Sequence, residues 1–265
     1  MGNSSLKWRL RDGAVGAVGD VVSVPVSAQG YDYNAIFEDL VDSPVEIRVA
    51  CVVPALRQAF SDWSIKVWQL EPCYAVVSRE AAGVLNGYSD VSQMGVDRWV
   101  AMLAAYSACQ NACLVVDAGT AMTVDLVLLS GQHRGGYITP GLGLMDDVLF
   151  DQTGIREVHR VKHVAISYDG ALGAGSSTQS AVLSGLYSMQ LGLLLLALDE
   201  LCIQCEGPPD VVFSGGAGSA LAEMFRKCLL AREEVKKVRE IMYSPALVLD
   251  GLSLSVNHNN TKIKG

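Results

Sequence analysis

The sequence predicts an α/β protein built from two similar halves facing each other across a cleft. Three observations carry that prediction. A strand, helix, strand rhythm runs from Val45 to Leu70, and a strand, glycine turn, strand unit occurs twice along the chain. The composition is half hydrophobic, with 26 glycines and only 18% charged residues, a mix of α/β enzymes rather than of disordered or fibrous chains. At 265 residues the chain is long enough to bury a sizeable core as one domain or two.

The elements follow in order. "GNSSLKWRLRDGAVGAVGDVVSV" gives a Gly-polar turn, a strand, a glycine turn and another strand. "VEIRVACVV" (Val45–Val53) is expected as a buried strand, Pro54 opens a helix through "ALRQAF", and "SIKVWQL" is expected as the next strand. "GVDRWVAMLAAYSACQN" places Trp99, Met102, Leu103 and Tyr106 at helical spacing, with Asp97 and Arg98 in the first turn. "ACLVVDAGT" is a strand ending in a tight turn, "AMTVDLVLLSG" a second strand, and "QHRGGYITPG" a hairpin return and third strand. A loop at "DGALGAGSST" leads to a long helix near Thr178–Cys205. The strand "DVVFSGG", a helix from about Ser219, the short strand "EIMYSP" and "ALVLDGLSLSV" follow, before the polar tail "NHNNTKIKG", which is expected to fray. The duplication divides the chain at about 1–108 and 109–265. The first copy is incomplete, because nothing precedes Gly2 where Leu114 to Asp117 stand in the second.

The bulk numbers exclude some functions. With 28 acidic and 20 basic residues the net charge is -8, so no overall field favours nucleic acid or an anionic membrane. Seven cysteines at scattered positions suggest a reduced, cytoplasmic protein. Cys202-x-x-Cys205 has no second pair at metal spacing and is read as buried helix cysteines. No secretory signal leads the chain, and the apolar run "LGLLLLAL" is shorter than the roughly 20 residues of a membrane span, so a core helix is expected there.

Asp117 and Asp125 sit inside apolar strands, where carboxylates are expensive unless paired, hydrogen-bonded or bound to a cation. Glycine-hydroxyl turns between strands present N–H groups suited to phosphate oxygens, and two such turns facing each other would hold a polyphosphate, with Lys7 adding a cation. Each turn alone also reads as plain structure. No GxxxxGK[ST] loop occurs, and "VVFSGGAGSALAEMF" lacks the full dinucleotide spacing, so its plainer reading is a helix start beside a nucleotide. In "GYSDVSQMGVDRW", Asp97 at a helix start is either a cap or a base, and the Arg98 guanidinium suits an acidic substrate.

Taken together, "GNSSLKW", "NGYSDVSQMGVDRW", "VDAGTAMTVD", "GGYITPG", "SST" and "SGGAG" resemble the type III pantothenate kinases over almost the whole chain. The resemblance implies two ribonuclease H-like (actin-like ATPase) halves and ATP-dependent phosphorylation of pantothenate to 4'-phosphopantothenate, the first step of coenzyme A biosynthesis. It implies that Asp97 is the general base, and that Tyr88, Gly95, Val96, Asp97, Arg98 and Thr178 hold the substrate. Gly2, Asn3, Ser4 and Lys7, with Gly119, Thr120 and Ala121, would bind ATP. Asp117 would associate with K+ or NH4+, beside Mg2+ or another divalent cation on the nucleotide. A cytoplasmic homodimer is expected, with neither nucleic acid nor membrane as partner. Asp125 is expected to line the nucleotide cleft or to brace the turn.

The family's first motif begins with a strand ending in an aspartate, whereas Met1 stands directly before Gly2 here. Losing an interior strand would cost several kcal/mol in unpaired backbone and exposed apolar surface. We therefore expect Met1 to be internal to a longer natural protein. The alternative function is a non-catalytic, pantothenate kinase-like regulatory or accessory protein.

Overall fold

The computed structural model describes residues 1–2, 4–12, 18–27, 30–40, 42–153 and 173–255. These residues form two compact units, one of residues 1–104 with the chain from 246 onward, the other of residues 105–245.

In the first unit, β1 (Ser5–Trp8) and β2 (Val22–Pro25) pair antiparallel, Ser5 opposite Pro25 and Trp8 opposite Val22. β3 (Arg48–Val49) lies parallel to β4 (Cys73–Tyr74), with α2 (Pro54–Trp68) as the crossover between them. Pro54 occupies the first helical turn, where its missing N–H is not needed. The strand expected over Val45–Val53 shortens to β3, and Val45 is almost fully exposed.

The stretch "SIKVWQL", expected as a strand, is corrected to helix. Ser64–Trp68 closes α2, which ends at Gln69 in the left-handed region (φ 54), its N–H donating to the Ile65 carbonyl. Helical spacing lets Phe60, Trp63 and Trp68 share one aromatic cluster with Trp8, Tyr33 and Phe37, while Ile65 and Val67 stay about half exposed. Burying those large rings outweighs the local β preference of the Ile, Val and Trp side chains. A short helix, α1 (Tyr33–Ile36), feeds the same cluster and is capped by Asp32, whose carboxylate accepts from the Asn34 and Ala35 N–H groups.

β5 (Glu80–Ala81) and β6 (Val84–Leu85) form a hairpin whose two turn residues, Ala82 and Gly83, both have positive φ (46 and 80), as a tight primed turn requires. It precedes α3 (Val96–Cys109). α7 (Leu247–Ser255) returns to this unit, and Leu252 joins Ala50, Ala75 and Val100 in a small core. A Cβ at Gly251 would lie 1.9 Å from the Val100 carbonyl oxygen, so only glycine permits that crossing.

The second unit holds one five-stranded sheet. β7 (Cys113–Ala118), β8 (Ala121–Val127) and β9 (His133–Pro140) form an antiparallel meander, and β10 (Asp210–Ser214) and β11 (Ile241–Tyr243) add parallel strands in the order β11-β10-β7-β8-β9. All five β10 residues are buried, as a central parallel strand requires. Leu114 and Val116 of β7, Met122, Val124 and Leu126 of β8, and Val211 and Phe213 of β10 share one face. That face is covered by α5 (Thr178–Ile203) and α6 (Gly218–Ala231), through Leu191, Leu194, Leu198, Leu221 and Phe225.

α5 is, by length and composition, apolar enough to cross a bilayer, but its Leu191-Leu194-Leu198-Leu201 stripe is buried on the sheet, the core-helix role expected for it. Cys202 and Cys205 pack at the margin of the same core, and burial raises both thiols, consistent with apolar packing rather than metal or redox chemistry. No group of three metal-ligating side chains occurs among the described residues. α4 (Leu142–Gln152) follows β9 and packs through Phe150 on Val182 and Leu186 of α5. Residues 169–172 of the "DGALGAGSST" loop and the tail "NHNNTKIKG" lie outside the described residues.

Candidate active site

The start of α3 carries Gly95, Val96, Asp97 and Arg98, with Tyr88 bonded to it, of the acceptor-binding residues expected from the sequence. Gly95 precedes the helix, and its carbonyl accepts the first helical bond from the Trp99 N–H. Asp97 then falls in the first turn, beside the positive end of the helix dipole. Its Oδ1 accepts from the Arg98 N–H at 2.8 Å, and a Cβ on Gly95 would come within 2.6 Å of that oxygen. Glycine at 95 is thus what lets the carboxylate fold back over the helix start while staying partly exposed.

Arg98 turns a different way. Its side chain is buried, Nη1 donates to the Tyr88 hydroxyl at 2.8 Å, and its guanidinium carbon lies 5.6 Å from the Tyr88 ring centroid. Asn86, which sequence reasoning missed, is buried beside them, and its Oδ1 accepts from the Tyr88 N–H at 2.9 Å. Its position just before the "GY" pair was the available signal.

The segment expected as the first phosphate element lies in the same unit. The Gly2 N–H donates to the Ser5 carbonyl, closing a turn in which Ser4 is exposed, and Lys7 sits half-buried on β1. Asn3 lies outside the described residues. Met1 donates its α-amino group to the Ala50 carbonyl at 2.5 Å. Burial lowers the pKa of that amine, while the Cys51 thiol and Asp97 oppose the shift.

The second unit assembles the other group. β7 ends at Asp117 and Ala118, the turn is Gly119-Thr120, and β8 begins at Ala121; the Gly119 N–H donates to the Ala121 carbonyl, and Thr120 and Ala121 are exposed. Two glycines that the motifs contain but the site reading left unassigned allow this packing. A Cβ on Gly141 would lie 2.1 Å from the Gly119 carbonyl oxygen, and one on Gly215 (φ +86) would lie 2.5 Å from Asp117 Oδ1. The "SGGAG" turn then bonds back to β7, from the Ala217 N–H to the Ala118 carbonyl. This agrees with a helix start at the phosphate end of the strands rather than a complete dinucleotide loop.

Asp117 fits a cation role chemically. It is a partly buried carboxylate in a cradle that a side chain at 215 would fill, with Thr120 three residues on in the sequence. One carboxylate and neutral oxygens suit a singly charged ion better than a tightly held divalent one.

Thr178 opens α5 and is exposed. Ser177 caps the helix, Ser180 returning the bond to the Ser177 N–H, and no other expected site residue bonds to Thr178 among the described contacts.

Asp125 does not line the phosphate turn. It is buried on β8, and its Oδ1 meets His133 Nε2 at 3.0 Å, both side chains being almost fully enclosed. The second carboxylate of the strand pair is therefore compensated by histidine, across the β8–β9 hairpin.

Comparison with known proteins places the chain among its relatives. The sequence pattern of the type III pantothenate kinase family matches residues 1–197. A type III pantothenate kinase of Pseudomonas paraeruginosa is 34% identical over 259 residues, 96% of each chain, and that of Alcanivorax borkumensis is 30% identical over 95% of this chain and 94% of its own. In structure, the chain is similar to a Campylobacter jejuni protein assigned to the Baf family of transcriptional activators, with TM-score 0.56 and 18% identity over 95% of this chain and 92% of that one. It is also similar to a Sinorhizobium meliloti protein assigned as a 2-dehydro-3-deoxygalactonokinase, with TM-score 0.52 and 15% identity over 94% of each. These two likenesses carry the fold alone.

His133→Ala leaves a buried carboxylate without its ring partner, and should lower stability by about 1–3 kcal/mol while nucleotide affinity stays within about twofold of wild type. Thermal denaturation and a nucleotide titration check this; a large loss of nucleotide affinity with unchanged stability would make Asp125 a nucleotide-binding residue instead.

Proposed function

The chain belongs to the type III pantothenate kinase family, and from that premise and the geometry we propose that it transfers the γ-phosphoryl group of ATP to the hydroxyl of pantothenate. The product is 4'-phosphopantothenate, the first intermediate on the route to coenzyme A. The observation that carries this reading is the start of α3, where a carboxylate and a guanidinium on adjacent residues are held in different directions by Gly95 and Tyr88.

Phosphoryl transfer needs positioning and charge neutralisation more than covalent chemistry from the protein. Asp97 accepts the proton of the pantothenate hydroxyl as its oxygen forms a bond to the γ-phosphorus. The bond from that phosphorus to the β–γ bridging oxygen breaks, and ADP leaves with the electron pair. Arg98, fixed by Tyr88, binds the pantothenate carboxylate, with Gly95 and Val96 shaping the helix start and Thr178 offering a hydroxyl to the acceptor. Gly2, Asn3, Ser4 and Lys7 would grip one part of the phosphate tail and Gly119, Thr120 and Ala121 another, through turn N–H groups, hydroxyls and one ammonium.

A divalent cation such as Mg2+, bound with the nucleotide, would neutralise phosphate charge. Asp117 would hold K+ or NH4+, whose contribution is electrostatic. The duplicated turns favour reading the sequence as two actin-like halves, about 1–108 and 109–265, although the chain from 246 onward packs with the first unit. The seven free cysteines fit a reducing, cytoplasmic setting.

We also propose a homodimer through α5. Met189, Leu196 and Ile203 recur every seven residues on its outer face and are 64%, 59% and 86% exposed, with Gly192 among them. An apolar stripe of that kind marks an interaction surface, and two copies of one face satisfy each other across a twofold axis. The occupant is a second copy of this chain.

Asp97→Asn should lower kcat by about 100-fold or more while ATP binding is retained, measured by steady-state kinetics and nucleotide titration; wild-type turnover in this variant would remove Asp97 as the base. Leu196→Glu should convert a dimer to a monomer in sedimentation velocity, because it places a charge in an apolar contact. A wild-type protein that sediments as a monomer, or a variant that stays dimeric, contradicts the α5 interface.

A further inference from the structure

We propose that Arg79 is a positioning residue for the acceptor site, acting through Tyr88 without touching the acceptor; the inference rests on the kinase reading and adds to its site. Arg79 Nη1 donates to the main-chain carbonyls of Asn86 (3.2 Å) and Tyr88 (2.7 Å), and Nη2 donates to that of Ser89 (3.1 Å). One guanidinium thus collects three carbonyls of a segment that belongs to no helix or strand. A planar fork with five donors suits that task, whereas an ammonium offers a point charge.

The β5–β6 hairpin sets this up. The Asn86 N–H donates to the Arg79 carbonyl at 2.8 Å, extending the ladder beyond Glu80 and Leu85, so Arg79 and Asn86 stand opposite each other. Asn86 grips the segment from the other side. Its Oδ1 accepts from the Tyr88 N–H, and its Nδ2 donates to the Ser78 carbonyl and to Met94 Sδ, each at 3.4 Å. The backbone of 86–89 is therefore held from the hairpin side by Arg79 and from within by Asn86. The result is a Tyr88 whose hydroxyl meets Arg98 Nη1 at 2.8 Å.

The chain of action is specific. Without Arg79, three carbonyls lose their donor, Tyr88 loses its fixed backbone, and Arg98 loses the partner that aims it. Asp97 is held separately, by the Arg98 N–H and the space over Gly95. Loss of Arg79 should therefore weaken acceptor binding and leave the chemical step nearly intact.

Steady-state kinetics on wild type, Arg79→Ala, Arg79→Lys, Tyr88→Phe and Arg79→Ala/Tyr88→Phe test this, with hydrogen exchange at the amides of 86–90. Arg79→Ala should raise the KM for pantothenate about tenfold while kcat and the KM for ATP stay within about twofold. Arg79→Lys should recover only part of the loss, and Tyr88→Phe should add little in the Arg79→Ala background, since contacting residues in one network are non-additive. Exchange at 86–90 should quicken in both Arg79 variants. If Arg79→Ala does not fold, Arg79→Lys carries the same comparison. An unchanged pantothenate KM, an equal fall in kcat, or additive effects would overturn the positioning role. A wild-type protein inert toward pantothenate would overturn the kinase reading, and exchange would then decide the Arg79 role, with unchanged protection counting against it.

Discussion

The structure depends on one helix start. At α3, Gly95 leaves room for the Asp97 carboxylate to lie back over the helix, and the Arg98 N–H bonds to it there. Arg98, the very next residue, is buried against Tyr88. Adjacent residues on a helix point about 100° apart, so one terminus presents a carboxylate in one direction and a guanidinium in another. The helix is anchored behind that terminus by fully buried Trp99, Met102 and Leu103, and by Gly251 of α7 against the Val100 carbonyl. Rigid support of this kind keeps the Asp97 carboxylate in place without a covalent tether.

The second unit reaches its site by the same means, close backbone approach at glycines. Gly141 brings the start of α4 against the Gly119-Thr120 turn, and Gly215 brings the end of β10 against Asp117. These contacts leave N–H groups, a hydroxyl and one carboxylate at the carboxyl ends of β7 and β10, where α/β sheets present their binding surfaces. The meander behind them is fixed differently, by the Asp125–His133 contact across β8 and β9. Two aspartates eight residues apart on neighbouring strands thus do separate jobs, one at the strand end and one within the hairpin.

Much of this was legible in the sequence, and for physical reasons. The meander from Cys113 to Pro140 was readable because apolar runs and glycine turns leave few alternatives, and α3 because Trp99, Met102, Leu103 and Tyr106 keep helical spacing. "SIKVWQL" misled because its β-preferring side chains fit a strand locally, while the aromatic cluster that makes it helical is assembled from residues as distant as Trp8 and Tyr33. Asp125 misled because a strand aspartate near a phosphate turn looks like a ligand until the histidine eight residues on is folded against it. Arg79 was invisible for a related reason. Its partners are main-chain carbonyls, which carry no side-chain signature.

The most direct measurement is product formation. Incubate the full chain with pantothenate, ATP, Mg2+ and K+, and follow ADP release together with the phosphorus resonance of the product. The account predicts ADP and a phosphate monoester of pantothenate in equal amounts, both dependent on pantothenate. Tight nucleotide or pantothenate binding with no phosphate monoester formed would contradict it, and would leave the chain as an accessory protein of this family.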